Sequence, residues 1–202
     1  MPSTPEFDPA WLQACRACSD CDLAVGRQQV VISRGSPAAA LMLIGEAPGA
    51  QEDERGEPFV GRSGRLLDQL LIQAGFDLAR DVFVSNVVKC RPPSNRKPTA
   101  RELQSCRPWI DHQIAVVNPR VVVLVGATAV AAMLGLKGAM RDRRGVWIDQ
   151  AERLWMPVFH PSYLLRNPSR DPGKPVDLTL QDLRQVRRRL CQCEPAFGAP
   201  IP

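Results

Sequence analysis

Apolar and polar residues follow one another along this chain in blocks that predict strands and helices in turn. Short apolar runs rich in Val, Leu and Ile predict strands at residues 41–44, 82–87, 121–125 and 153–159. Longer amphipathic or small-residue stretches predict helices at residues 63–74, 99–117, 127–134 and 178–190. Strands that alternate with helices are typical of parallel sheets. The pattern therefore predicts an α/β fold in three layers, α/β/α, around a central and mostly parallel four-stranded sheet.

The length and composition of the chain predict one domain. Its 202 residues are 45% hydrophobic, which is enough for one core, so we expect a single domain over residues 1–190 and a Pro-rich, disordered tail over 191–202. Residues 121–136 carry no charge, but glycines interrupt this run and it is shorter than the about 20 apolar residues that cross a bilayer. The first residues lack the basic start and apolar stretch of a signal peptide. We therefore expect a cytoplasmic protein that contacts no membrane.

Arginine dominates the charge of the chain. The net charge is +5 at pH 7, and all but four of the 26 basic residues are Arg, whose planar guanidinium suits phosphate. Arg residues cluster at 91–107, 141–144, 166–170 and 184–189. Solvated helix faces in an Arg-rich composition are the alternative interpretation, but the clusters together favour a polyanionic partner.

The segment 45–64 after the first strand is predicted to be a functional loop. It holds five Gly, two Pro, four Glu and one Asp, and too little of it is apolar to form a core element. Glu46, Glu52 and Asp53 lie near the carboxyl end of a strand, where open α/β sheets bind ligands. Phe59 is interpreted as an exposed aromatic between two turns. Neither Gly-x-Gly-x-x-Gly nor Gly-Lys-Ser/Thr occurs there, so we expect no nucleotide cofactor.

Polar side chains near the ends of two other strands predict further parts of the site. Asn86 carries a donor and an acceptor, which suits it to the edge of a base; a turn or capping residue is the alternative. His160 precedes a proline and suits electrostatic or acid-base work, with a structural role as the alternative. The other histidine, His112, lies in a predicted helix and is interpreted as a surface or packing residue. The segment 90–96 is too rich in Pro and Arg to be regular or buried.

Seven cysteines in a chain expected in the cytoplasm indicate a role other than disulfides. Cys18 and Cys21 form a Cys-x-x-Cys pair, and Cys90 and Cys106 follow far downstream, so four thiolates can meet at one centre. Zinc and an iron-sulfur cluster both stay open, although the lack of a second downstream pair favours a cluster. A redox pair beside ordinary buried thiols is the other alternative. Cys15 forms a further pair with Cys18, so the ligand pair could be shifted by three residues. The remaining two, Cys191 and Cys193, are interpreted as incidental.

Motifs from these segments occur together, in order, in one known family. They are Gly45-Glu46-Ala47-Pro48-Gly49, Gln51-Glu52-Asp53, Gly56-x-Pro58-Phe59-Val60-Gly61, Asn86-Val87-Val88-Lys89-Cys90-Arg91-Pro92-Pro93 and His160-Pro161-Ser162-Tyr163-Leu164-Leu165-Arg166-Asn167. With the cysteines at matching places, the chain resembles the family 4 uracil-DNA glycosylases over residues 18–190. The resemblance implies a structural [4Fe-4S] cluster on Cys18, Cys21, Cys90 and Cys106.

The same resemblance implies how the base is bound and released. Phe59 stacks on a uracil flipped out of DNA, and Asn86 binds its Watson-Crick edge. The backbone of Gly45, Glu46 and Ala47 contacts the base as well.

The resemblance also implies the chemistry and the contact with DNA. His160 stabilises negative charge on uracil O2, and Glu46 or Glu52 positions the water or offsets charge on the sugar, with Asn95 assisting. Beyond His160 lies an apolar wedge for the gap left by the base, followed by a phosphate-binding arginine: Tyr163, Leu164, Leu165 and Arg166. For one of the two leucines, packing against the sheet is the alternative.

Two residue types that would allow a covalent reaction have no suitable position in these segments. A related branch traps uracil covalently through a His in a basic loop, and residues 91–98 contain no His. No Lys is placed to form a Schiff base, since Lys89 is expected to face the cluster. We predict a monomeric, monofunctional enzyme that acts on uracil in single- or double-stranded DNA and leaves an abasic site. A non-catalytic iron-sulfur module that binds nucleic acid is the alternative.

Overall fold

A computed structural model describes residues 6–192 of this chain, in which one sheet lies between two layers of helices. The strands are β1 (Arg34–Gly35), β2 (Leu41–Gly45), β3 (Val82–Asn86), β4 (Val121–Val125), β5 (Ile148–Gln150) and β6 (Arg153–Val158). The helices are α1 (Pro9–Ala17), α2 (Leu23–Gly26), α3 (Ala50–Arg55), α4 (Arg62–Gln73), α5 (Ala100–Val117), α6 (Ala127–Leu134), α7 (Met140–Arg143), α8 (Pro161–Arg166) and α9 (Pro175–Gln192). One turn of 3-10 helix spans Pro93–Asn95.

The sheet is mixed and has six strands in the order β1-β3-β2-β4-β6-β5. Its four central strands run parallel, as the sequence predicts, whereas β1 and β5 pair antiparallel at the two edges. The prediction of a four-stranded sheet is therefore wrong in strand number. The edge strands have two and three residues and only one apolar side chain between them, so they form no apolar run that the sequence could reveal.

The central strands are buried on both faces because successive side chains point to opposite sides of the sheet. Leu43 of β2 packs in one core cluster with Leu67 of α4 and Leu183 of α9. Its neighbour Ile44 packs in a second cluster with Ile110 of α5. Helices therefore cover both faces, and the predicted α/β class is confirmed.

The predicted helices are present, with shifts at their ends. α4 and α5 differ by one residue from the predicted ranges, and α6 matches its range. α9 begins three residues earlier than predicted, at Pro175, because proline is tolerated in the first turn of a helix. It also includes residues 191 and 192, which the sequence had placed in the tail. The rest of that tail, with Cys193, lies outside the described residues.

The segment 45–64, predicted as an irregular loop, contains the short helix α3. Gly49 precedes the helix, and Glu52 accepts a hydrogen bond from the Gly49 N–H at 3.1 Å in a capping arrangement. Gly56 ends the helix with a φ of 76°. The chain then returns to the end of β2, where Phe59 meets Gly45. Within residues 6–192, no helix is long and apolar enough to cross a membrane.

Candidate active site

The carboxyl ends of three parallel strands meet at one cleft. β2 ends at Gly45, β3 ends at Asn86, and His160 follows β6. The cleft has a volume of about 280 Å³, which lies close to the lower end of the range for small-molecule sites. Most of the predicted site residues line it: Glu46, Ala47, Glu52, Phe59, Asn86, Asn95 and His160. The sequence therefore predicted seven of the residues that this edge of the sheet brings together.

Asn86 offers an unpartnered hydrogen-bond acceptor in this cleft. The residue ends β3 and is only 1% exposed. Its buried side-chain oxygen Oδ1 finds no donor among the described residues, and a β-carbon at Gly45 would collide with it. A buried acceptor left without a donor costs about 1–3 kcal/mol. We therefore expect a ligand to supply the donor.

Phe59 stands beside Asn86 in a backbone conformation that non-glycine residues rarely adopt, with a φ of 56°. The prediction that it is exposed is wrong, because the residue folds back into the cleft and is only 7% exposed. Two glycines make room for it. A β-carbon at Gly64 would collide with the Phe59 backbone, and one at Gly45 would collide with its ring. The ring centroid then lies 6.3 Å from that of His160.

His160 is held by Ser162 through one ring nitrogen and keeps the other available. Nδ1 accepts a hydrogen bond from the Ser162 N–H at 3.2 Å and lies 2.8 Å from the Ser162 Oγ. An accepting Nδ1 carries no proton, so the neutral ring holds its proton on Nε2. Burial lowers the pKa of His160, an effect that the carboxylate of Glu46 opposes. The ring is therefore neutral at pH 7 and can donate from Nε2.

The two candidate carboxylates have different surroundings. Glu52 accepts hydrogen bonds from Gly49 N at 3.1 Å and from Gly61 N at 2.8 Å, one on each oxygen. This carboxylate holds the loop together. Glu46 lines the same cleft, and within residues 6–192 no hydrogen bond reaches its carboxylate. The geometry leaves Glu46 free for water or substrate and commits Glu52 to the backbone.

Asn95 lies at the rim of the cleft. It ends the 3-10 turn with a φ of 54°, a left-handed conformation that Asn tolerates better than most residues. Its Oδ1 accepts a hydrogen bond from Arg91 Nε at 2.8 Å. The side-chain NH₂ group remains as its polar contribution to the cleft.

Glu102 ties this loop to the first turn of α5, and it predicts an acid-sensitive contact. Arg96 donates to both carboxylate oxygens at 2.6 and 2.8 Å, and Thr99 N donates at 2.7 Å. The hydrogen bonds from Arg96, above all, lower the pKa of Glu102 to about 2. In the unfolded chain the same carboxyl group has a pKa of about 4.3. The stabilisation from Glu102 is therefore fully present above that pH and is lost as pH falls towards 2.

We expect Glu102→Gln to lower the midpoint of thermal unfolding at pH 7 by about 3 °C, since the charge-assisted bonds are lost. The midpoint should also fall less steeply than in the native chain between pH 4.5 and 2. Circular dichroism at a series of pH values measures both effects. An exposed carboxylate, Glu57→Gln, serves as the control, and identical pH profiles for the native chain and Glu102→Gln would refute the assignment.

The apolar segment after His160 forms α8, and only part of it faces solvent. Leu164 is 0% exposed and belongs to the core, so its prediction as a wedge is wrong. The helical turn points it inward while its neighbours point outward. Tyr163 is 38% exposed and packs on Phe159 with ring centroids 5.0 Å apart. Together with the partly exposed Leu165 and the exposed Arg166, it remains a candidate for DNA contact.

Five cysteines line one small cavity beside α1 and α2. They are Cys15, Cys18, Cys21, Cys90 and Cys106. Arg27 Nη1 donates to the Cys90 Sγ at 3.4 Å, and the Lys89 backbone N–H donates to the Cys106 Sγ at 3.2 Å. Hydrogen bonds of this kind support thiolates that hold a metal centre. The donor set therefore fits a thiolate-bound centre.

Burial favours the protonated form of the most deeply buried thiols of this cavity. Burial raises the pKa of Cys15 to about 12 and that of Cys106 to about 11, and metal binding would displace these protons. Cys15 is fully buried in the same cavity, so both Cys-x-x-Cys pairings stay open. Cys191 is exposed near the end of α9 and is not one of the lining residues.

Lys89 lies between the cleft and the cysteine cavity. Its backbone faces the cysteines, as predicted, but its side chain turns towards the end of β3. The ammonium donates to Ser85 Oγ at 2.7 Å, to the Asn86 carbonyl at 2.7 Å and to Gln113 Oε1 at 2.6 Å. All three of its hydrogens therefore have acceptors.

Sequence reasoning assigned no role to several residues that line the cleft, and Ser162 and Pro92 are two of them. Ser162 sets the tautomer of His160, and Pro92 lines the wall. The sequence does contain a signal for Ser162. The residue just before a helix, here His160, commonly accepts a hydrogen bond from the N–H two or three residues later. Pro92 had no such signal, since only the folded loop brings it to the cleft.

Comparison with known proteins agrees with this fold. The model of the uracil-DNA glycosylase superfamily matches residues 32–184, a range that contains all six strands together with Asn86 and His160. The chain therefore belongs to the uracil-DNA glycosylase superfamily.

Individual relatives narrow the assignment to one family. The type-4 uracil-DNA glycosylase of Thermotoga maritima is 40% identical over 174 residues, covering 85% of this chain and 88% of that protein. The type-4 enzyme of Sulfurisphaera tokodaii is 38% identical, covering 76% of this chain and 73% of its own length. A type-5 enzyme from Pyrobaculum aerophilum is 33% identical, with 77% and 72% covered. The chain is a member of the type-4 family, which confirms the resemblance stated from its motifs.

Proposed function

We propose that this chain flips uracil out of DNA into the cleft, hydrolyses its N-glycosidic bond and leaves an abasic site without cutting the strand. The observation that carries the proposal is the unpartnered acceptor Oδ1 of Asn86. Uracil presents a donor, N3–H, between the acceptors O2 and O4, whereas cytosine presents an acceptor at N3. A buried acceptor opposite N3 therefore favours uracil over the parent base.

Two side chains and the backbone at the end of β2 would hold the flipped base. Phe59 stacks on its face, while Asn86 accepts from N3–H and donates to O4. Gly45 lets the base come close to the end of β2, where the backbone of Glu46 and Ala47 completes the wall. The proposal is supported by the presence of Phe59, Asn86, Glu46 and Ala47 among the residues that line the cleft.

His160 and Glu46 would carry the chemistry. When the bond between C1′ and N1 breaks, its electron pair leaves with uracil, and negative charge develops on O2 while the sugar becomes positive. The Nε2–H of neutral His160 donates to O2. Water adds to C1′ and gives up one proton, which Glu46 accepts, and uracil gains a proton from solvent as it leaves. Glu52 supports this arrangement through the loop that it holds.

The proposed reaction stops at the abasic site because the cleft offers no amine to attack the sugar. The residues that line it among 6–192 include Arg96 but no Lys. Lys89 is buried, and its ammonium is bound to three acceptors. A Schiff base with the sugar would require one of these contacts to be given up.

The cysteine cavity supports a structural [4Fe-4S] cluster as the second part of this proposal. Cys18, Cys21, Cys90 and Cys106 would hold it, with Cys15 as the alternative donor. The lack of a second Cys-x-x-Cys pair downstream favours a cluster over zinc. The bound cluster would supply a cross-link between the N-terminal segment and the start of α5.

DNA would bind across the rim of the cleft. Tyr163 and Leu165 are placed to enter the gap left by the flipped base, and Arg166 to contact a phosphate. A monomer suffices, because every residue of the proposed site comes from one chain. We place the enzyme in the cytoplasm, with the DNA that it repairs.

A uracil-release assay tests the proposed function. We expect the purified chain to release uracil from single- and double-stranded oligonucleotides that contain it, with strand breaks only after alkali. A matched oligonucleotide with cytosine at the same position is the control. DNA binding without uracil release would overturn the proposal and indicate a non-catalytic nucleic-acid-binding module.

The metal assignment has its own test. We expect a brown protein with about four irons per chain, and Cys106→Ala should lose both colour and iron because one ligand is gone. Cys191→Ala, which changes an exposed cysteine outside the cavity, is the matched control and should keep them. Absorption spectra and metal analysis measure the result. A colourless protein with zinc in place of iron would refute the cluster.

A further inference from the structure

A buried lysine lies directly behind the base-binding edge of the cleft. Lys89 is 1% exposed, and none of its partners among the described residues is a carboxylate. Lysine is almost never fully buried without a charged partner. Its three hydrogens instead meet three neutral acceptors, one of which is the backbone carbonyl of Asn86.

The other two acceptors belong to a fixed frame. Gln113 of α5 uses its Nε2 to donate to the Ile32 carbonyl at 3.0 Å. Ser85 Oγ lies 2.8 Å from the same carbonyl and 2.8 Å from Gln113 Oε1. These contacts join α5, the end of β3 and the segment before β1. Two of the three contacts of the Lys89 ammonium are therefore with side chains whose positions are fixed, and the third is with Asn86.

The peptide between Asn86 and Val87 is held at both of its polar atoms. Its carbonyl accepts from the Lys89 ammonium at 2.7 Å, and its N–H, on Val87, donates to the Gly45 carbonyl at 2.9 Å. The side-chain oxygen of Asn86 has no hydrogen-bond partner within residues 6–192. Its direction is therefore set by the backbone that these two bonds fix.

We propose that Lys89 is a positioning residue of the uracil site, because its ammonium fixes the Asn86 peptide and thereby aims the acceptor that binds uracil N3–H. This inference rests on the proposed function of Asn86. Lys89 touches no substrate in this arrangement. Its backbone N–H also bonds Cys106, so one residue joins the cysteine cavity to the base-binding edge.

A double-mutant cycle tests the inference. Lys89→Met keeps most of the length of the side chain but removes every donor, so we expect kcat/KM for uracil release to fall about 10- to 100-fold. The inhibition constant of free uracil should rise by a similar factor, while binding to uracil-free duplex is unchanged. In an Asn86→Ala background, Lys89→Met should have no further effect on either quantity, because residues that act as a unit are not additive.

A stability-matched control separates positioning from folding. Leu71→Ala truncates a core residue of α4 and should lower the unfolding midpoint without changing the inhibition constant of free uracil. All rates are measured at a temperature well below the unfolding midpoints of Lys89→Met and Leu71→Ala. If Lys89→Met does not fold, Lys89→Gln, which keeps a donor on a shorter side chain, enters the same cycle, and its effect must likewise vanish in the Asn86→Ala background.

The outcomes distinguish this inference from the proposed function. Absence of uracil release by the native chain would overturn the proposed function itself. Release that depends on Asn86 but is unchanged in Lys89→Met would overturn the positioning role alone. So would an effect of Lys89→Met that persists at full size in Asn86→Ala, since that would mark a general loss of structure.

Discussion

Replacing His160 with alanine is expected to lower the rate of uracil release by about 100- to 1000-fold while the fold is kept. The change removes the Nε2–H that is proposed to meet the developing charge on uracil O2. Single-turnover kinetics with enzyme in excess measure the chemical step. Circular dichroism confirms that the variant folds.

The chain provides a matched control in its other histidine. His112 stacks on Trp11 with ring centroids 4.6 Å apart and does not line the cleft. We expect His112→Ala to release uracil at close to the native rate, although it can lower stability. A near-native rate in His160→Ala, or equal losses in both variants, would refute the role of His160.

The pH dependence of the same step should reveal the neutral form of His160. Burial lowers its pKa, and protonation of Nδ1 would break the hydrogen bond from Ser162 N–H. The rate should therefore be constant from pH 8 to about 6.5 and fall at lower pH, as the ring gains a proton. Stability should fall in the same direction, because below pH 6.5 the unfolded chain binds the proton more readily than the folded chain does. A rate that rises on acidification would indicate the cationic form.

The sequence predicts the central sheet and the meeting of Asn86 with His160 for one physical reason. Parallel strands covered by helices on both faces are apolar along their length, so they stand out as runs. Their carboxyl ends lie at one edge of the sheet, so polar residues that follow different strands meet there. The edge strands β1 and β5 cannot be predicted in this way because neither is an apolar run.

Other features depend on contacts between distant positions. The burial of Phe59 requires the absence of side chains at Gly45 and Gly64, which no local pattern around Phe59 indicates. The network of Lys89 depends on Gln113, 24 residues further along the chain. Leu164 turns inward because of the phase of a helix only six residues long, too short for a periodic pattern.

The sequence contains a local signal that separates Glu46 from Glu52. Glu52 stands three residues after Gly49, the spacing at which a glutamate caps the start of a helix. That spacing favours a backbone role for Glu52, which leaves Glu46 as the carboxylate of the proposed reaction. Its second bond, to Gly61, could be seen only in the folded loop.

Replacing Asn86 with alanine is expected to lower kcat/KM for uracil release by about 100-fold or more, because both hydrogen bonds to the base edge disappear. The same change should leave the midpoint of unfolding unchanged or raise it, since it removes a buried oxygen for which the described part of the chain offers no donor. Steady-state kinetics and thermal unfolding of one preparation measure the two effects together.

A loss of activity without a loss of stability would show that Asn86 binds the substrate and does not support the fold. Asn118→Ala is the control, because Asn118 precedes β4 at the far end of the sheet, where its Oδ1 accepts from Arg153 Nη2 at 2.8 Å. It should lose some stability and keep the native rate. If Asn86→Ala instead lost stability in proportion to activity, the unpartnered oxygen would be part of the fold rather than an acceptor kept for uracil.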